Sequence, residues 1–136
     1  MKEITHSEKQ TEALGEKLAR SLKPGDFIAL YGQLGSGKTA FTRGLCRELK
    51  CIVDVSSPTF NIINIYPGKI EVSHIDLYRV DNDLHELGWD ELDNSENITI
   101  IEWAEKAKNY LPQMRFDVYF TIIDLETREI EIENKQ

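Results

Sequence analysis

One stretch constrains this chain more than any other: Gly32-Gln33-Leu34-Gly35-Ser36-Gly37-Lys38-Thr39. It satisfies G-x-x-x-x-G-K-[ST] in full, a pattern that chance supplies in a chain of this length only ~0.5% of the time at average composition. The setting agrees with the motif. Phe27-Ile28-Ala29-Leu30-Tyr31 is a continuous apolar run, and a strand apolar on both faces belongs in the middle of a parallel sheet. A helix from about Lys38 to Leu49 follows, with Phe41 and Leu45 facing inward. Strand, glycine-rich loop and helix together predict a phosphate cradle.

The chemistry explains the residue types. Gly35 and Gly37 let the backbone curl so that several N–H groups, from Ser36 to Ala40, aim at one phosphate. The helix that starts there adds the positive end of its dipole. Lys38 carries charge toward the β- and γ-phosphates, and Thr39 offers a hydroxyl to Mg²⁺. A nucleoside triphosphate with Mg²⁺ is the ligand this chemistry leads one to expect.

The rest of the chain supplies one α/β domain over residues 1–136: a mostly parallel central sheet flanked by helices, with an antiparallel C-terminal hairpin. Ser7 followed by Gln10 reads as a capping box, and Leu14, Leu18 and Leu22 continue that helix as one apolar stripe. Strands are expected at Thr59 to Tyr66, Glu71 to Asp76 and Ile98 to Glu102, and at Asp117 to Asp124 and Glu129 to Ile132. Short helices are expected at Asp83 to Leu87 and Trp103 to Tyr110.

Composition narrows the function. Lys plus Arg is 16 against 24 Asp plus Glu, a net charge of −8, so a free-standing nucleic-acid binder with a basic footprint is not expected. Cys46 and Cys51 lack zinc-ligand spacing and read as two free thiols. The N-terminal stretch has no apolar signal region, and no apolar run reaches the roughly 20 residues that span a bilayer. A cytoplasmic protein without a membrane role is expected.

Hydrolysis needs an acid near Mg²⁺, usually at the end of a buried strand. Asp76 and Glu102 compete for that place, and Glu102 has the more apolar strand behind it. Thr59, about 20 residues past the loop, sits where a switch threonine would sense the γ-phosphate. His74 alone reads as a packed strand residue. Trp103 reads as core or as a base-stacking ring. Glu86, Asp90, Glu91 and Asp93 read as a solvated or protein-docking face.

These blocks together resemble the TsaE (YjeE) family over nearly the whole chain. The resemblance rests on the loop followed by Phe41-Thr42-Arg43-Gly44, on Ser57-Pro58-Thr59-Phe60, and on His74-Ile75-Asp76-Leu77-Tyr78-Arg79. Glu86-Leu87-Gly88 and Ile101-Glu102-Trp103 complete it. It implies an ATPase needed for threonylcarbamoyladenosine next to the tRNA anticodon, one that joins TsaD and TsaB and supports their repeated turnover. It implies that tRNA is met only through the complex, and that the lone protein is monomeric or weakly self-associating. By position it implies phosphate binding by Lys38, Mg²⁺ held by Thr39 and Glu102, and a switch role for Thr59. It further implies a catalytic part for Asp76, Trp103 beside the nucleotide, and Glu8 and Arg128 near the nucleoside end. The family's loop more often has Asp and Ala where Gln33 and Ser36 stand here. Neither touches phosphate mainly through its side chain, so binding is expected to survive.

A small nucleotide or metabolite kinase and a GTP-dependent switch are the competing readings. The first needs an acceptor pocket and an arginine-bearing lid, for which 136 residues leave little room. The second usually carries Asn-Lys-x-Asp, and Asn134-Lys135-Gln136 ends the chain before any such acid.

Overall fold

The apolar run before the glycine loop is the centre of the sheet. The computed structural model describes residues 1–51, 62–80 and 96–136. Its strands are β1 (Lys2–Thr5), β2 (Phe27–Tyr31), β3 (Ile63–Tyr66), β4 (Val72–Asp76), β5 (Ile98–Glu102), β6 (Phe116–Ile122) and β7 (Arg128–Asn134). Its helices are α1 (Glu8–Ala19) and α2 (Lys38–Glu48), with a 3-10 turn at Ala104–Ala107. The strand order is β1-β7-β6-β2-β5-β4-β3. β2 lies between β5 and β6, parallel to both, and β4 extends the parallel core beside β5. The C-terminal hairpin β6–β7 is antiparallel as expected, and β3–β4 and β1–β7 add antiparallel pairs at both flanks.

The two faces of β2 bury different neighbours because side chains alternate along a strand. Ile28 and Leu30 face α1 and α2 with Ile100, Val118 and Phe41. Phe27 and Ala29 face the opposite side with Ile75, Leu77, Ile101 and Ala104. The register pairs Ile28 with Ile100, Leu30 with Glu102, and Asp76 with Glu102. Asp76 and Glu102 therefore share the face covered by α1 and α2, beyond the apolar residues and next to the loop.

α1 begins where expected. Ser7 Oγ accepts from Gln10 N–H at 3.1 Å, while Gln10 Oε1 accepts from His6 N–H at 2.8 Å, one residue earlier than in the usual reciprocal box. The helices pack at backbone distance. A Cβ on Gly15 would strike the Phe41 carbonyl, and one on Gly44 would strike the Glu12 carbonyl. Neither neighbour is a flexible side-chain end, so the helices would have to part. Gly44→Ala is expected to destabilise the protein by roughly 3 kcal/mol through overpacking. A thermal melt checks it, with a midpoint lower by on the order of 10 °C expected; an unchanged midpoint would show that the helices separate freely.

Three expectations are revised or left aside. β1 was not foreseen: four residues, two of them charged, have little strand signal alone, and β7 recruits them through the pairing of Lys2 with Glu131 and its neighbours. The helix expected from Trp103 to Tyr110 is only a 3-10 turn, because Trp103 takes φ 60° and the following bonds run i to i+3, as in Lys106 N–H to the Trp103 carbonyl at 3.0 Å. Thr59, the expected helix at Asp83 to Leu87 and the acidic cluster at Glu86 to Asp93 lie outside the described residues, as does the first part of the strand expected from Thr59. No helix among the described residues is long and apolar enough to cross a membrane.

Candidate functional site

Gly32 leaves β2 at φ 156°, Gly35 takes φ 75°, and Gly37 caps α2 at φ 105°. The last two values lie in the region that side-chain-bearing residues avoid, so the glycines at these positions shape the loop. α2 then starts with its first N–H groups at the loop, the arrangement that attracts phosphate oxygens. The hairpin closes the loop from outside. Arg128, at the start of β7, donates to the Gly35 carbonyl at 2.9 Å and to the Asp124 carbonyl at 2.7 Å.

A cleft of about 370 Å³ opens above the loop. Lys38, Thr39, Ala40, Gly35 and Gly37 form its floor, Asp76, Glu102 and Trp103 one wall, and Glu8 and Arg128 the other. Ten of the residues singled out from sequence thus meet in one place. Ser36 does not line it: its Oγ is buried beside Gly32 without a hydrogen-bond partner among the described residues, and its N–H turns back to the Gln33 carbonyl at 3.1 Å. Sequence reasoning missed Ser7, Thr11, Leu34, Leu125 and Glu126, which complete the lining. Alternation and spacing carry no signal for Ser7, Thr11, Leu125 and Glu126, which arrive from the start of α1 and the hairpin tip, while Leu34 is one of the unspecified positions of the loop motif.

Lys38 is 5% exposed. Its Nζ donates to the Gly32 carbonyl at 2.5 Å and lies 3.8 Å from the centroid of the Trp103 ring. Burial lowers its pKa, while Glu102, Glu105 and Asp76 pull it back up. The ring faces the ammonium, and Trp103 has a left-handed backbone, rare for an aromatic residue and a form of strain that gathers at functional sites. Tyr78 packs against the same indole with ring centroids 5.0 Å apart and the planes tilted by 40°.

The two carboxylates differ. Burial raises the Asp76 pKa, with Glu102 adding to the effect, against the Tyr78 N–H bonded at 2.9 Å and the charge of Lys38. Glu102 is 3% exposed and holds His74 Nε2 at 2.5 Å. His74, read from sequence as a packed residue, is packed and also bonded to the acid of the site. Among the described residues no group of three or more His, Cys, Asp or Glu is arranged to hold a metal ion by itself. Hard oxygen donors from Thr39, Asp76 and Glu102 suit a cation that takes one or two carboxylates and completes its shell with phosphate and water, which is the habit of Mg²⁺.

Known proteins resemble this chain in sequence and fold. The family described as "Threonylcarbamoyl adenosine biosynthesis protein TsaE" matches residues 5–131. The chain is 36% identical over 127 residues to the tRNA threonylcarbamoyladenosine biosynthesis protein TsaE of Bacillus subtilis, covering 93% of this chain and 80% of that one. It is 29% identical over 134 residues to the protein of the same name from Treponema pallidum, covering 97% and 99%. The crystal structure of Bacillus subtilis YdiB superposes with a TM-score of 0.83 at 31% identity, covering all of this chain and 86% of that one.

Proposed function

The chain belongs to the TsaE family, and on that premise we propose that it is the ATP-binding and ATP-hydrolysing subunit of the machinery that makes threonylcarbamoyladenosine in tRNA, working with TsaD and TsaB. A part in that biosynthesis follows from the family. The observation that carries the finer reading is the convergence of Asp76 and Glu102, from adjacent parallel strands, on the cleft floored by Lys38 and Thr39.

The loop N–H groups and the start of α2 bind the phosphates, and Lys38 offsets their charge. Thr39 and Glu102 hold Mg²⁺, which when bound neutralises charge on the phosphate oxygens. Asp76, with its pKa raised by burial, is the group suited to accept a hydrogen bond from the attacking water. Trp103 and Arg128 fix the edges of the cleft. With a net charge of −8, the subunit meets tRNA through its partners.

The test is association and turnover. The protein is mixed with TsaD and TsaB, with and without ATP, and both pull-down and phosphate release are measured. Weak hydrolysis alone and strong stimulation by the pair are expected. Failure to associate under every nucleotide condition would sink the partnership. Brisk hydrolysis that the partners leave unchanged would sink the coupling. Tighter binding of GTP than ATP would favour the switch reading, and phosphate transfer to a nucleoside would favour the kinase.

A further inference from the structure

Behind the cleft, Glu102 continues into a buried polar chain whose other members, His74 and Tyr66, have no part in the reading above. His74 is fully buried in β4, where an imidazole is costly unless both nitrogens are bonded. Both are: Nε2 meets Glu102 Oε2 at 2.5 Å, and Nδ1 meets the Tyr66 hydroxyl at 2.9 Å. A carboxylate only accepts, so Nε2 donates, and a neutral ring then accepts at Nδ1 from the Tyr66 O–H. Tyr66 is 5% exposed, and burial pushes its hydroxyl up to about 12, so it remains a donor at neutral pH. Glu102 makes this bond through one oxygen; Oε1 has no hydrogen bond among the described residues.

We propose that His74 is a positioning residue for the metal: it holds Glu102 in one rotamer with Oε1 free for the cation, and Tyr66 fixes the ring that does so. The inference rests on Glu102 being a metal carboxylate, as read above. A free glutamate has three rotatable bonds to order when it takes a ligand, and that ordering opposes binding. Here the ordering is completed during folding. Partners of this kind behind a metal ligand are worth ~10–100-fold in metal affinity.

The test uses the full-length protein with a non-hydrolysable ATP analogue and Mn²⁺ as the probe, free Mn²⁺ being read by electron paramagnetic resonance. Analogue binding in EDTA is measured in parallel. His74→Leu is expected to weaken Mn²⁺ binding ~10–100-fold. His74→Gln, which keeps an N–H donor, recovers most of it, and Tyr66→Phe shows a smaller loss in the same direction. Analogue binding in EDTA stays at the wild-type level in all three. Wild-type Mn²⁺ affinity in His74→Leu and Tyr66→Phe overturns the inference. So does an equal fall in metal-free binding, which would mark a purely structural role. If His74→Leu does not fold, Tyr66→Phe decides, since it removes a single hydroxyl. Glu102→Gln separates the two readings. If it binds Mn²⁺ like the wild type, the reading of Glu102 fails along with the inference. If it loses Mn²⁺ while the Tyr66 and His74 variants do not, only the inference fails.

Discussion

Lys38→Ala is expected to lower the affinity for ATP by about two orders of magnitude and to leave the fold intact. The ammonium lies on the floor of the cleft, between the Gly32 carbonyl and the Trp103 ring. Burial makes its charge harder to hold, which strengthens its attraction to any anion that reaches it. Removing one preorganised donor from an oxyanion typically costs ~10²–10³-fold in rate, and the lower end of that scale is carried over to the loss of this charge beside phosphate. The fold should tolerate the change because the apolar core lies behind the loop and does not use the ammonium. Calorimetric titration with ATP and far-ultraviolet circular dichroism together check it. Loss of the folded signal would show that Lys38 is structural, and undiminished affinity would remove the loop from the site.

Asp117→Ala is expected to destabilise the protein by ~3 kcal/mol, the scale for breaking a buried charged group away from its partners. Asp117 is fully buried at the start of β6. It accepts from the Tyr31 hydroxyl at 3.0 Å and Arg115 Nε at 2.9 Å, and pairs with Lys135 Nζ at 3.0 Å. Burial alone would raise its pKa, but the bonds from Arg115, Lys135 and Tyr31 outweigh it and hold the carboxyl below its ordinary range. A group depressed on folding stabilises the native state above its unfolded value, near ~4. That contribution is lost as pH falls through the lower folded value. Urea midpoints measured from pH 7 downward should therefore fall in the wild type at acid pH, and less steeply in Asp117→Ala. Parallel curves would show that Asp117 does not carry the acid sensitivity. The consequence reaches the site, since Tyr31, stacked on Tyr119 with centroids 4.7 Å apart, is the last residue of the strand from which the loop springs.

The central strand, the glycine loop and α2 were legible because each is contiguous. Alternation, φ-permissive residues and helical spacing act within a dozen residues, and here they agree with one another. Asp76 and Glu102 were legible as strand-end acids for the same reason. β1 was not, since its four residues make a strand only against β7. The turn after Trp103 was not, since helical spacing there gives way to a 3-10 turn entered through one left-handed residue, whose ring lies over Lys38.

By itself, then, the sequence determined a glycine-rich loop from Gly32 to Thr39 between a buried strand and a helix, and acids at the ends of two buried strands. Which residues gather around that loop was decided only by strand order and register. The pairing of β4 with β5 sets Asp76 beside Glu102, and the hairpin brings Arg128 to Gly35 from 93 residues away. The same register turns His74 from a packed strand residue into the partner of Glu102, 28 residues on. Hydrogen bonds reach about 3 Å, so such groups act together only once the sheet has placed them side by side.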